Sequence, residues 1–512
     1  MKIKTIIIAA GSAFLMLVSF SCDEGFLDKN PLDQISNKTF WNTKADVDMA
    51  LAGCYARLRG GFLGYERPYL DCLSDNAVVP FDSYFGFPSV TLGNLNPNTS
   101  GGRGGFFQKF YNVPYDGIST FNYFLENIDR VSSIDANQRN IYKGEVQFLR
   151  ALVYFDLVQS FGGVILYTEL PENVEESRIA KSSKEDVLNF IHQDLDFAIA
   201  NLPNEPYSGH AVKGSAMALK TRVLLYEQKW TEAATISMDI ISSEIFGLSD
   251  NYSLMFLTAG QENNPEIMFS VRYLSPNSPQ HSIEGMDVEF GWYGGISAYQ
   301  DLVDDYELID GQSVSESPIF EPNNPYQNRD PRLDMTIKLP GEIWTDPTGN
   351  PYEGEPALTD FKMEKYIDFE HAPFNYGKAN LTDQDYIHIR YADVLLMYAE
   401  ATNEVSGPDA TVYGALDEIR ARPGVNMPPV DQSKYNTKDL LRDYIRRERR
   451  VELALEGQRY FDLKRWNIAH IKMPTINNPA GIPLKFEQHH YLLPFPQYEL
   501  DVNAQLEQNP GY

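Results

Sequence analysis

The sequence predicts a mostly α protein with long irregular loops, and three observations carry that reading. Apolar residues recur at helical spacing in nine segments, and most of these segments lie in adjacent pairs. Two long stretches between them are rich in Gly, Pro, Asn and aromatic residues and show no period. Residues 23–36 are polar, include Pro31, and read as a lead-in. The first helix is expected over 45–58, where Val47, Ala50, Leu51, Cys54, Tyr55 and Leu58 form an i, i+3, i+4 stripe. Similar stripes place helices over 121–131, 137–161, 184–201, 214–228 and 231–243, and again over 391–405, 411–421 and 437–455. Ser182 or Ser183 ahead of Glu185-Asp186, and Thr437 ahead of Asp439, supply N-caps. The irregular stretches are 60–117 and 246–382; loops of that length inside a compact protein are usually functional. Residues 22–280 and 281–512 are expected to pack as one body.

Pairing sharpens the architecture. The helix at 214–228 is followed by Lys229-Trp230-Thr231-Glu232-Ala233-Ala234 and a second stripe through Ile236 and Ile240. A helix, a short aromatic turn and a helix opening on Glu-Ala-Ala resembles a tetratricopeptide unit, and 391–421 is a looser instance. Stacked helical pairs form a rigid, curved surface suited to holding a partner.

Composition narrows the function. The 43 Lys+Arg and 71 Asp+Glu leave a formal charge of −28, which argues against a nucleic-acid partner. Three cysteines and eight histidines without an HExxH motif leave no disulfide scaffold and no His- or Cys-built metal site to expect. Cys54 and Cys72 are either a disulfide or two buried thiols. No GxSxG, GxxxxGK[ST] or GxGxxG motif is present, so no cofactor is expected.

The N-terminus is a different kind of segment. Lys2 and Lys4 precede an apolar run over 6–20, shorter than the ~20 residues a membrane span needs, so residues 1–21 read as a secretory signal. The run ends Ser19-Phe20-Ser21-Cys22, which resembles a bacterial lipoprotein cleavage site with Cys22 as the acylated residue. At ~0.8 kcal/mol per buried CH₂, two or three acyl chains tether a domain firmly.

Two charged groups invite a chemical reading. Glu448 and Glu452 stand four apart in Arg446-Arg447-Glu448-Arg449-Arg450-Val451-Glu452, on one helix face, the arrangement that invites a paired-carboxylate glycosidase reading. Surrounding arginines lower carboxylate pKa values, whereas a general acid needs its pKa raised, so ion pairing between helices is the expectation. Asp301, Asp304, Asp305 and Asp310 follow no calcium-loop order and read as a solvated acidic face.

The aromatics carry the binding argument. With 31 Tyr, 29 Phe and 5 Trp, many rings fall in loops. A pyranose offers a flat C–H face to an exposed ring and a fringe of hydroxyls to neighbouring polar groups. The ligand-binding candidates are Trp292 and Tyr293, between Gly291 and Gly294-Gly295, with Asp75, Phe81, Tyr84, Phe85 and Phe87. Trp41, Trp230, Trp344 and Trp466 read as packing residues.

Taken in order, these segments resemble the SusD/RagB family of nutrient-binding outer-membrane lipoproteins of Bacteroidetes. The likeness rests on Cys22-Asp23-Glu24-Gly25-Phe26-Leu27-Asp28, Thr39-Phe40-Trp41, Asn328-Arg329-Asp330-Pro331-Arg332-Leu333, and 389–401. It continues through Glu448-Arg449 to Glu456-Gly457, Asp462-Leu463-Lys464-Arg465-Trp466, Leu493-Pro494-Phe495-Pro496 and the closing Gln508-Asn509-Pro510-Gly511-Tyr512. The resemblance implies four tetratricopeptide-like pairs, a lipid anchor at Cys22 facing the cell exterior, and no catalysis. It implies capture of an oligo- or polysaccharide, or of a peptide as in the RagB branch, for delivery to a SusC-like TonB-dependent transporter. A lipid-anchored glycoside hydrolase using Glu448 and Glu452 is the remaining alternative.

Overall fold

The computed structural model describes residues 40–80, 85–100, 105–281, 285–374 and 382–512. Each of the nine predicted segments is a helix: α1 Lys44–Arg57, α2 Val113–Asn127, α3 Ala136–Phe161, α4 Lys184–Asn201, α5 Lys213–Tyr226, α6 Trp230–Ser242, α7 Tyr391–Ser406, α8 Ala410–Arg420 and α9 Lys438–Glu452. A tenth, α10, spans Arg459–Arg465. Local chemistry sets their starts. Thr43 and Asp46 form a reciprocal capping box on α1, and the hydroxyl of Ser183 accepts the Asp186 N–H at 3.0 Å on α4. Asp409 caps α8 by accepting from Thr411 N–H at 2.7 Å, and Thr437 caps α9. Among ends, α7 stops at Gly407, whose φ of 81° few other residues adopt.

Consecutive helices pack side by side from α1 to α8, with α9 returning against α7. This gives four stacked pairs. The 26-residue α3 is buried on nearly all sides from Tyr142 to Phe161, as expected of a helix at the centre of a stack. One apolar core runs from Trp41 through α3 and α7 to Phe495 and Leu506.

Sheet is scarce and serves the loops. Eight short strands are present among the described residues: β1 Ala77–Val78, β2 Ile267–Val271, β3 Ser297–Ala298, β4 Ile337–Lys338, β5 Trp344–Thr345, β6 Pro351–Tyr352, β7 Lys362–Met363 and β8 Tyr386–Arg390. Four of them form an antiparallel sheet in the order β1-β3-β7-β4. β2 pairs antiparallel with β8, Ile267 opposite Arg390 and Val271 opposite Tyr386, and β5 with β6 makes a hairpin. The loops are therefore cross-linked to one another before they meet the helices.

Candidate functional site

The densest charged segment is structural. Glu452 is fully buried and accepts from Arg390 Nη1 at 2.7 Å, Arg332 Nη1 at 2.8 Å and Arg422 Nη2 at 2.9 Å. Burial alone would raise its pKa; the guanidiniums of Arg422, Arg390 and Arg332 overcome this and hold the carboxyl far below the usual range. Glu448 pairs with Arg332 at 2.7 Å and Arg420 at 3.0 Å, and its pKa is likewise lowered against the effect of burial. Neither carboxyl has the raised pKa or the exposure that acid catalysis requires. Asp462 continues the pattern, bound to Arg449 and Arg465 at 2.8 Å each.

Trp292 and Tyr293 stand on a different footing. Asp287–Trp292 is a single π-turn, closed by the Tyr293 N–H donating to the Val288 carbonyl at 2.9 Å. Such turns are frequent at functional sites. It is fastened by buried Asp287, whose carboxylate accepts from Gln384 Nε2 at 2.6 Å, the Asp368 N–H at 2.9 Å and Thr382 Oγ1 at 3.1 Å. His371 Nδ1 lies 2.7 Å from the same carboxylate, and this hydrogen bond raises the imidazole pKa despite burial. Gly291 is required sterically: a Cβ there would lie 2.6 Å from the Phe374 ring.

The Trp292 ring stacks near-parallel on Tyr352, centroids 6.4 Å apart and planes at 29°. Tyr352 donates to the Gly291 carbonyl at 3.2 Å, and the Glu355 N–H to the Trp292 carbonyl at 2.6 Å. Behind this pair the aromatic row continues through Phe374, Phe369 and Trp344. Trp292 and Tyr293 are half-buried, while Glu353 and Glu355 beside them are exposed. Lys362 is half-buried near these two carboxylates, and burial lowers its pKa. A preorganised indole can stack one sugar face, and Glu355, whose backbone is bonded to it, can offer a carboxylate to the hydroxyls, whereas the Lys362 Nζ lies 5.4 Å over the Trp344 ring. Tyr352 and Glu355 were missed from sequence, because the β5–β6 hairpin brings Tyr352 to Trp292 across sixty residues of chain.

Three other candidates point inward. Asp75 is 1% exposed and bound by Arg459 Nε and Nη2 at 2.8 Å each, with Arg450 at 3.4 Å. Phe85 and Phe87 are both 0% exposed and pack on Phe62 and one another. These residues are corrected to core: β1, pairing with β3, carries the segment into the interior, where two arginines take the acid and aromatic packing takes the rings. Phe81, Tyr84 and Cys22 lie outside the described residues. Asp301 and Asp305 are not a cation site but counter-ions of Arg450, at 2.7 and 2.5 Å. Among the described residues no His, Cys, Asp and Glu converge to hold a metal. Cys54 and Cys72 are unpaired, buried thiols; burial pushes Cys54 up to about 12 and Cys72 well above its usual value. Trp41, Trp344 and Trp466 are buried as packing residues.

Comparison with known proteins bears on the whole chain. The model of the SusD family matches residues 260–512, and a second, described as starch-binding associating with outer membrane, matches 25–225. A SusD-like protein of Formosa agariphila is 28% identical over 98% of both chains, and another is 27% identical over the full length of both. A SusD-like carbohydrate binding protein from Bacteroides fragilis superposes with a TM-score of 0.79 at 28% identity, covering 92% of this chain and all of that one. A laminarin binding SusD-like protein superposes with a TM-score of 0.69 at 25% identity, over 92% and 100% of the two chains.

Proposed function

From the premise that the chain belongs to the SusD family, we propose that it is a carbohydrate-binding protein which captures an oligo- or polysaccharide without cleaving it. The observation that carries the reading is the half-buried Trp292, stacked on Tyr352, on a turn held by the Asp287 network, with the exposed Glu355 bonded to it through the backbone. A platform locked before binding loses little entropy when the ligand arrives. Tyr293 extends the same proposal. The carbohydrate-binding names of its relatives support it, as does the burial of Glu448 and Glu452 in ion pairs.

The protein is anchored through acylated Cys22 in the outer membrane, faces the exterior, and passes its ligand to a SusC-like TonB-dependent transporter. The Ser21-Cys22 junction and the outer-membrane description of the second family model support this part. Calorimetric titration of the purified protein against a panel of polysaccharides tests the function. A glycan is retained chemically unchanged, and Trp292→Ala weakens it at least tenfold, about 1.4 kcal/mol, with the helical circular dichroism intact. Unchanged affinity removes Trp292 from the site; release of reducing ends rejects the binding-only reading; retention of oligopeptides but of no glycan assigns the ligand to the peptide class.

A further inference from the structure

Away from Trp292, a cavity of about 440 Å³ opens beside α2, the 165–171 segment and the short helix Gln497–Val502. Its volume suits a small ligand. The walls are aromatic. Tyr111 and Tyr115 have centroids 4.7 Å apart at 52°, and Tyr167 meets Tyr115 edge-on at 5.9 Å. The rings are fixed from behind: Tyr115 donates to the Ile165 carbonyl at 2.8 Å and Tyr167 to the Ser177 carbonyl at 2.5 Å. Tyr111 packs edge-on against Phe161 at 5.4 Å.

The charge lining the cavity has one sign. Asp116, Glu169 and Glu499 contribute carboxylates, and among the described residues no Lys, Arg or His lines the space. Among the described residues these three side chains have no hydrogen bond or ion pair, whereas Asp301 and Asp305 at another cleft are both held by Arg450. Arg150, beneath the cavity, is committed to Asp194 and Asn122. Glu499 is half-buried, and burial raises its pKa. The acids are spread around the wall, since no group of the described residues converges closely enough for a metal ion.

We propose that this cavity is a second binding site, separate from the Trp292 platform, for a sugar-sized organic cation: an ammonium group on a ring or short chain, with an amino sugar as the matching ligand. The tyrosine faces attract the cation through their quadrupoles and cover the apolar part of the ring, while Glu499 and its neighbours supply the counter-charge.

Titration of the purified full chain with glucosamine, at a pH where its amine is protonated, against glucose as the neutral match, tests this by NMR. Glucosamine binds at least fivefold more tightly than glucose, Glu499→Gln and Asp116→Asn each weaken it at least fivefold, and Trp292→Ala leaves it unchanged. Polysaccharide affinity at the Trp292 platform is unaffected by Glu499→Gln, so the two sites fail or stand separately. Glucose binding as tightly as glucosamine, absence of glucosamine binding, or full glucosamine affinity in both acid variants overturns the proposal.

Discussion

Glu452→Gln removes one charge from a hub in which six carboxylates, Glu266, Glu307, Asp330, Glu448, Glu452 and Glu456, meet the six cations Arg332, Lys365, Arg390, Arg420, Arg422 and Arg447. These residues come from strand, loop and helix segments between positions 266 and 456, so the hub ties the loop half of the molecule to α9. Glutamine keeps the shape of the side chain but presents one neutral oxygen, and an NH₂, to three guanidiniums within 2.9 Å. One unit charge at ~4 Å and an effective dielectric constant of ~20 is worth about 4 kcal/mol. Removing one partner from a buried ion pair costs about 3–5 kcal/mol by measurement in other proteins. The expected loss is therefore about 3–5 kcal/mol, read as a lower urea midpoint by far-ultraviolet circular dichroism with little change in slope. That is a large part of the ~5–15 kcal/mol that holds a typical domain. A loss below about 1 kcal/mol would refute the reasoning, because it would mean that the three arginines do not depend on this carboxylate.

Asp75 gives a test with a pH signature. Burial would raise its pKa, but Arg450 and Arg459 hold it far below its unfolded value of ~3.9, so its stabilisation is present above about pH 4 and lost as pH falls below that. Asp75→Asn therefore destabilises at pH 7, and its gap to wild type narrows as the pH is lowered through 4; a gap of constant size would contradict the ion-pair assignment. The same variant leaves glycan affinity unchanged in the calorimetric assay, since Asp75 does not reach the surface. Neither Cys54 nor Cys72 reacts with a thiol reagent in the folded protein, and both react in denaturant; rapid native labelling of either would contradict their burial.

The helices were legible because they are amphipathic over many turns and begin at Ser183, Thr437 and similar caps. The start of α2 was not: it begins at Val113 rather than at 121, since Pro114 sits in its first turn and Gly117 interrupts the stripe. Pattern reading assigned those residues to a loop. The Glu448–Glu452 segment was legible as ion pairing because a carboxylate among arginines admits few other states. The loops were harder. An aspartate beside aromatics in a Gly- and Pro-rich stretch reads as exposed, yet Asp75 is buried because Arg450 and Arg459 reach it from nearly four hundred residues along the chain. Trp292 was visible through its flanking glycines, but the Tyr352 beneath it and the Asp287 that fastens its turn are properties of the fold.

This division follows from what each part can bury. A helix satisfies its own backbone and needs only an apolar stripe to dock, so α1 to α8 are held by a core that local sequence encodes. A long irregular loop exposes backbone polar groups and carries too few apolar residues in any one place to be fixed by area alone. In this protein the fixing is done by buried side chains with several hydrogen-bonding atoms: Asp287 gathers residues 368, 371, 382 and 384 around the Trp292 turn, and Arg450 gathers residues 75, 76, 301 and 305 around the adjoining loops. Each such anchor fixes geometry, because every one of its buried polar atoms is matched to a particular partner. The arginine-rich C-terminal segment thus fixes the loops at 75–76 and 301–305, and Asp287 fixes the separate turn that carries Trp292.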